Sequence, residues 1–573
     1  MGFVKLQDTL DIGMLQGKFR LTGNLEARLA SLTIPGATFT KERAVLVPAT
    51  AFTANELAVK LEKYVIKGCE EYTDLLDSYR NIESIKEDGL TEWPSKTARW
   101  KHQTLALNFG LQLKNFGLFM EMGTGKTKVV IDLIDIRKPS RVLVIAPKSV
   151  VVSEVWSSEF KKHAINKYDV VELIGSNKER AETLDILNRK KRPFIVVTNY
   201  ESIWRGELSQ KAKESMFDFI VLDEAHKIKS TKTTANKFLT LFGRTIKYRI
   251  AMTGTPLADK PADVFGIYKF LDPAIFGTNF QQFANLYIDM GGYMGRQTTS
   301  YHNLAELQRK MYSIGFRVSK DVLDLPETMT IHREFEMNSE ARQRYREIDR
   351  DLATDVNGEK FLIQNSLVKI VRLQQLTSGY LPSNDAENPL HRIDDGKKEL
   401  LREILEELAD DEPVVIFCKF LRDLQVIKEV SADLKREYKE LSGSKKQNLE
   451  WSRGLGTILG VQINSGSAGI DLTRASTAIY YSIGHSLTNY EQSFSRVHRP
   501  GQKKNVKFIH LLAKNTIDYE VLRAVLDKKD IVDAIVDSIK VRSRDHLPKA
   551  LHHLQVKDNG YAFKGSPTFQ FGE

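Results

Sequence analysis

The fold is decided by Gly117-Leu-Phe-Met-Glu-Met-Gly-Thr-Gly-Lys-Thr127. Its apolar residues 118–120 predict a buried strand, Gly123 and Gly125 a tight turn, and Lys126 and Thr127 the start of a helix running to 136. Strand, glycine turn and helix start make a phosphate cradle. Without Cβ atoms in the way, consecutive backbone N–H groups converge on phosphate oxygens at the helix's positive end. Met122, Gly123, Thr124, Gly125, Lys126, Thr127 and Lys128 would line it, with the Lys126 ammonium on the β- and γ-phosphates of ATP and the Thr127 hydroxyl on Mg²⁺. Met120 stands where the usual pattern begins with glycine.

Outward from this stretch, apolar strands at 142–146, 194–198, 219–222 and 249–252 alternate with helical segments. Such alternation predicts an α/β fold with a parallel sheet covered on both faces and ligands at the strands' carboxyl ends. Strands at 412–418, 459–463, 477–481 and 506–511 predict a second sheet. Between the sheets, 272–395 is charged and helix-rich, which reads as helical protrusions plus a connector. Residues 1–88 lack the alternation. Short strands at 32–38 and 44–48 and a capped helix at 53–61 predict a small α+β module there. The expected division is an N-terminal module over 1–88, a first lobe with a protrusion over 89–325, a helical protrusion and linker over 326–395, a second lobe over 396–535, and a basic tail over 536–573.

Composition narrows the function. The chain has 573 residues, room for several domains, with a formal net charge of +10 that favours a polyanionic partner. Two cysteines, Cys69 and Cys418, make neither a disulfide framework nor a zinc site and imply a reducing intracellular compartment, bacterial or host cytoplasm or a nucleus. No apolar run reaches a membrane span, and the first residues carry no signal-peptide pattern. A monomer is expected.

Further motifs carry chemistry. Phe219-Ile-Val-Leu-Asp-Glu-Ala-His226 puts Asp223 at the tip of a buried strand, where it can hold Mg²⁺, and next to it Glu224, which can polarise the attacking water. Thr253-Gly-Thr-Pro256 ends another strand with hydroxyls able to bond those carboxylates and relay nucleotide state. Arg496 and Arg499, three apart, would share one helix face and stabilise transition-state charge. The loop 467–472 would couple nucleotide to nucleic acid.

Taken together, these motifs resemble a superfamily-two helicase, and within it the SWI/SNF family of DNA translocases. In order they are Gln103, 122–127, Ala146-Pro-Lys-Ser149, Asp223-Glu-Ala-His226, Thr253-Gly-Thr-Pro256, Ile416-Phe-Cys-Lys-Phe420, 467–472 and Arg496-Val-His-Arg-Pro-Gly-Gln502. The resemblance covers about 90–530. It implies two RecA-like lobes that close on ATP and open after hydrolysis, with Gln103 reading adenine and catalysis by Lys126, Asp223, Glu224, Arg496 and Arg499. Coupling and DNA contact would fall to Pro147, Lys148, His226, Thr253, Gly254, Thr255, Ser467, Gly469 and Gln492. The family's lack of a first loop glycine also accounts for Met120. Two departures bear on DNA coupling. Gly484-His-Ser-Leu stands where the family has Trp-Asn-Pro, and Ser467, Ala468 and Asp471 replace a glycine pair and an Asn. A second resemblance joins 34–48 to the HARP-type domain of annealing helicases, implying recognition of forked or branched DNA. The partner is thus expected to be duplex DNA. The alternatives are a strand-separating DNA or RNA helicase and a nucleic-acid clamp whose ATPase has decayed.

Overall fold

The computed structural model describes residues 9–83, 85, 90–190, 192–257, 260–291, 297–351, 353–356, 359–362, 366–382, 390–464, 470–537 and 561–562. They form two compact units, Met1–Val322 with Val532–Glu573, and Leu323–Ile531.

The first unit opens with a small module. Strands β1 (Thr9–Leu15), β2 (Lys18–Gly23), β3 (Thr38–Phe39), β4 (Val45–Pro48) and β5 (Val65–Gly68) form one sheet in the order β3-β4-β2-β1-β5. Helices α1 (Leu25–Ser31), α2 (Ala51–Lys60) and α3 (Glu70–Glu83) accompany it. Leu10, Ile12, Phe19, Leu21, Val45 and Val47 alternate along their strands and pack against Ala27, Ala54, Leu57, Tyr72 and Leu76 of the helices. The α+β character is as expected, but the strand expected at 32–38 is a turn, because Pro35 and Gly36 (φ 82°) bend the chain there. The β1–β2 hairpin turns on Gln16 and Gly17, both at positive φ.

Beyond the module, α4 (Lys101–Gln112) leads into β6 (Asn115–Met120), α5 (Lys126–Arg137) and β7 (Arg141–Ala146). Next come α6 (Lys148–Val152), α7 (Val155–His163), β8 (Asp169–Glu172), β9 (Phe194–Asn199), β10 (Phe219–Asp223) and β11 (Tyr248–Met252). A hairpin of β12 (Ile288–Gly291) and β13 (Gln297–Tyr301) precedes β14 (Gly315–Val318). The seven strands β14-β6-β11-β10-β7-β9-β8 lie in that order, every pair parallel. The central strands are buried along their length except at Arg141 and Asp223, which is why their sequences are nearly continuous apolar runs with no alternation.

The second unit is built the same way. Its strands are β15 (Thr328–Phe335), two small hairpins of β16 (Ala353–Val356) with β17 (Glu359–Leu362) and β18 (Tyr380–Pro382) with β19 (Leu390–Arg392), then β20 (Val414–Cys418), β21 (Tyr438–Leu441), β22 (Ile458–Gln462), β23 (Thr477–Tyr480) and β24 (Val506–Ala513). The main sheet runs β15-β24-β23-β20-β22-β21, again all parallel. Each unit contains one RecA-like α/β lobe. The segment 326–395, expected as a helical protrusion and linker, gives this sheet its edge strand β15. That strand has one neighbour and an exposed, polar-rich pattern, so it lacks the apolar run that marks its partners. In the first unit β25 (Tyr561–Ala562) pairs with β13. Among the described residues no helix is long and apolar enough to cross a membrane.

Candidate functional site

The phosphate loop leaves the carboxyl end of β6. Met120 is buried as the last residue of that strand and uses only its carbonyl, which accepts from Lys126 Nζ at 2.8 Å; the Glu121 carbonyl accepts at 3.3 Å. A side chain at 120 is therefore core, and a glycine is not needed there. Gly123 (φ 87°) and Gly125 (φ 86°) sit in the left-handed region that only glycine adopts freely. A Cβ on Gly125 would also lie 2.2 Å from Gln103 Nε2. Gln103 thus closes over the loop, donating to the Thr124 carbonyl at 3.1 Å while its Oε1 accepts from the Trp100 N–H at 3.0 Å. His102 Nε2 reaches the same Thr124 carbonyl at 2.9 Å, a neighbour the sequence did not single out.

Facing the loop, Asp223 ends β10 and Glu224 follows with φ 54°, a strained conformation for a non-glycine residue. Trp156 Nε1 donates to Asp223 Oδ2 at 3.1 Å, and the Tyr200 hydroxyl donates to the Asp223 carbonyl at 2.7 Å. Burial, then the charge of Glu224, push the Asp223 carboxyl up to about 7. Glu224 is partly buried, which raises its pKa, but His226 and Lys126 outweigh this and hold it below the usual carboxylate range. His226 Nδ1 lies 3.3 Å from Glu224 Oε2 and 3.3 Å from Thr253 Oγ1, which in turn accepts from the Thr255 N–H at 3.1 Å. Burial lowers the Lys126 pKa against the pull of Glu224, Asp223 and Glu121.

A Cβ on Gly254 would lie 3.4 Å from the Met122 nitrogen, so the end of β11 abuts the loop. Arg317 of β14 bonds Glu121 Oε1, and the Lys320 N–H donates to Glu121 Oε2 at 3.0 Å. Sequence reading missed this brace, because its partners are about two hundred residues apart. In sum, the first unit gathers Gln103, the loop 122–127, Asp223, Glu224, His226 and Thr253–Thr255 around one cradle. The cradle offers backbone N–H groups at a helix start, one cation, one hydroxyl and two carboxylates of different proton affinity. That donor set fits a nucleoside triphosphate with a divalent cation, which would take Thr127 and Asp223 as ligands.

Not every expected residue joins it. The side chain of Lys128 turns away, bonding Asp132 Oδ2 at 3.1 Å and Ser95 Oγ at 2.9 Å, so only its backbone is free for phosphate. Pro147 caps α6 and Lys148 is exposed at the carboxyl end of β7, with no contact to the cradle among the described bonds.

In the second unit Arg496 and Gln492 are buried in the helix Leu487–Val497. Arg499 lies beyond that helix, so the two arginines do not share a helix face. Pro500 disfavours helical geometry at the residue before it, and His498 already departs at φ −101°, ψ 86°. Arg499 Nε is buried without a hydrogen-bond partner among the described residues. Ser467 and Gly469 lie outside the described residues. At the carboxyl edge of β20, β22 and β23 a cavity of about 280 Å³ is lined by Lys419, Asn464, His485, Ser486 and Asn489, among others. Gly484-His-Ser, the departure from Trp-Asn-Pro, forms part of its wall.

Residues 101–379 match the SNF2-related domain and residues 396–501 the helicase conserved C-terminal domain. An uncharacterized ATP-dependent helicase of Mycoplasma pneumoniae is 28% identical over 473 residues, covering 79% of this chain and 42% of its own length. The ISWI chromatin-remodeling complex ATPase ISW1 of Saccharomyces cerevisiae is 24% identical over 470 residues, covering 76% of this chain and 40% of its own. The chain thus spans less than half the length of these relatives. Among solved structures, the Sulfolobus solfataricus SWI2/SNF2 ATPase core in complex with dsDNA is 22% identical, with 78% of this chain and 95% of that one covered and a TM-score of 0.37.

Proposed function

Because the chain belongs to the SWI/SNF family of superfamily-two helicases, we propose that it is a DNA-dependent ATPase that moves along duplex DNA. The observation that carries this is the cradle, where Lys126, Asp223 and Glu224 converge and Glu224 reaches Thr253 through His226. Gln103 reads the adenine. Met122 to Lys128 hold phosphates through their backbone, and Lys126 adds its charge on the β- and γ-oxygens. Thr127 and Asp223 hold Mg²⁺, which neutralises charge on the same phosphates when bound. Glu224 stays ionised beside His226 and accepts a proton from the attacking water.

His226, Thr253, Gly254 and Thr255 report the state of that proton to β11. Pro147, Lys148, Ser467, Gly469 and Gln492 carry the report to DNA phosphates. Arg496 and Arg499 contribute positive charge that matters most in the transition state. The unpartnered Nε of Arg499 suits a group whose partner comes with the reaction. The divisions at 89–325, 326–395 and 396–535 are working units of this motor. Residues 1–88 form an accessory module that biases it toward branched DNA, and 536–573 a basic tail. The motor acts inside the cell and as a monomer.

The test is one ATPase series with blunt duplex, single-stranded DNA, forked DNA and RNA at fixed salt. Duplex-containing DNA is expected to stimulate most. Strongest stimulation by RNA, or none by any nucleic acid, would overturn the reading.

A further inference from the structure

The N-terminal sheet is covered on one face only. Leu10, Ile12, Phe19, Leu21, Val45 and Val47 turn inward to the helices, so the intervening residues must turn outward. On that outer face the strand register sets Arg20 across from Gly13, Lys18 across from Leu15, and Asp11 across from Lys67. Among the described residues no helix lies over them. Arg20 keeps 39% of its side-chain surface and Lys67 is exposed. A Cβ on Gly13 would meet nothing within 4 Å, so the middle of the face is bare as well as open.

Charge is sorted across the module. Its described residues carry nine lysines and arginines against ten acidic residues, so it has no basic excess of its own. Yet five of the acids, Glu70, Glu71, Asp74, Asp77 and Glu83, sit on α3, one of the helices packed against the opposite face. The Arg20–Glu42 ion pair, 3.2 Å and exposed, also brings the turn bearing Lys41 and Arg43 beside the outer face. The module is fixed to its lobe from the helix side. Glu56 of α2 pairs with Arg309 at 3.2 Å, leaving the sheet face outward.

We propose that this open sheet face is a DNA-binding surface, on which Lys18, Arg20 and Lys67 contact phosphates while Gly13 lets a sugar–phosphate backbone approach the sheet. It rests on the motor reading and adds a second contact, outside the lobes. A bare face on which Lys18, Arg20 and Lys67 stand against Asp11, on a module whose other residues are acidic on balance, suits a polyanion, whose phosphates are bound through such side chains independently of base order.

The experiment uses the full chain and a fluorescent forked DNA, titrated by anisotropy over a salt series. One variant carries Lys18→Glu, Arg20→Glu and Lys67→Glu, and a second carries Gln at the same three positions. Each phosphate that the variant no longer neutralises should lower the slope of log affinity against log salt by about one, so both slopes should fall by about two to three. ATPase at saturating blunt duplex should stay within about twofold, since none of the three residues belongs to the cradle. If the Glu variant does not fold, the Gln variant decides. An unchanged slope in a folded variant, with stimulation by duplex intact, overturns this surface and leaves the motor standing. An unchanged slope together with lost self-association by sedimentation makes the face a contact between copies, and also overturns it. A wild-type chain that no DNA stimulates would instead remove the motor reading beneath it.

Discussion

Asp223 and Glu224 are sequence neighbours with opposite proton affinities, and the difference has a visible cause. His226 stands 3.3 Å from Glu224, whereas Asp223 has burial and its neighbour's charge against it. Because its folded pKa is raised, to about 7, the folded nucleotide-free protein keeps a proton that an unfolded Asp has already lost. Asp223 therefore stabilises the fold at low pH, and that contribution fades as pH climbs from about 4 to about 7. Asp223→Asn should flatten this part of the stability profile, measured by denaturant unfolding; an unaltered slope would contradict the assignment. A divalent cation needs the ionised carboxylate, so MgATP affinity should rise between about pH 6 and about pH 8 with proton release, which calorimetry in two buffers can count. Glu224→Gln keeps shape and removes the base. It should bind ATP normally and lose about a hundredfold or more in turnover, whereas lost ATP binding would make Glu224 structural. At this scale the sequence was informative, because the loop's backbone chemistry is local. What it hid were the braces, since His102, Trp156 and Arg317 act through carbonyls and carboxylates brought near only by folding.

One element joins Gln103 to the helix behind the phosphate loop. The segment 93–100 is bound to α5 by a buried ion network. Arg99 Nε lies 2.6 Å from Asp132 Oδ2, and its other nitrogens hold the carbonyls of Trp93 and Pro94 at 2.7 and 2.6 Å. Trp100, at its end, donates its N–H to Gln103. Removing one partner of a buried pair leaves a charge uncompensated. Asp132→Asn should therefore loosen this segment and with it Gln103. The expected result is a KM for ATP about tenfold higher with kcat little changed, and a smaller preference for ATP over GTP. Equal KM values for wild type and variant would show that the network serves stability alone. Elements differ in how readily they can be read. Central parallel strands stand out as apolar runs because both their faces are buried. The edge strand β15 and the β1–β2 hairpin, half exposed, alternate instead and do not stand out from their surroundings. The proline at 500 is plain in the sequence, yet the early end it gives the arginine helix shows only in the backbone.

As a whole molecule, the chain pairs two lobes of one architecture, and only the first holds the cradle. A motor needs both, so residues of the second should affect turnover without touching ground-state binding. Arg499→Ala should cut turnover by about a hundredfold or more while leaving ATP affinity near wild type. Weaker binding with unchanged turnover would give that arginine a different role. The central claim, movement along duplex DNA driven by ATP, is tested most directly by a triplex-displacement assay. A labelled third strand is annealed to one end of a long duplex, and the chain is added with ATP or a non-hydrolysable analogue. The account predicts that the strand is released with ATP only, that the duplex itself stays paired, and that Lys126→Ala releases none. Brisk duplex-stimulated hydrolysis with the third strand left in place would contradict it.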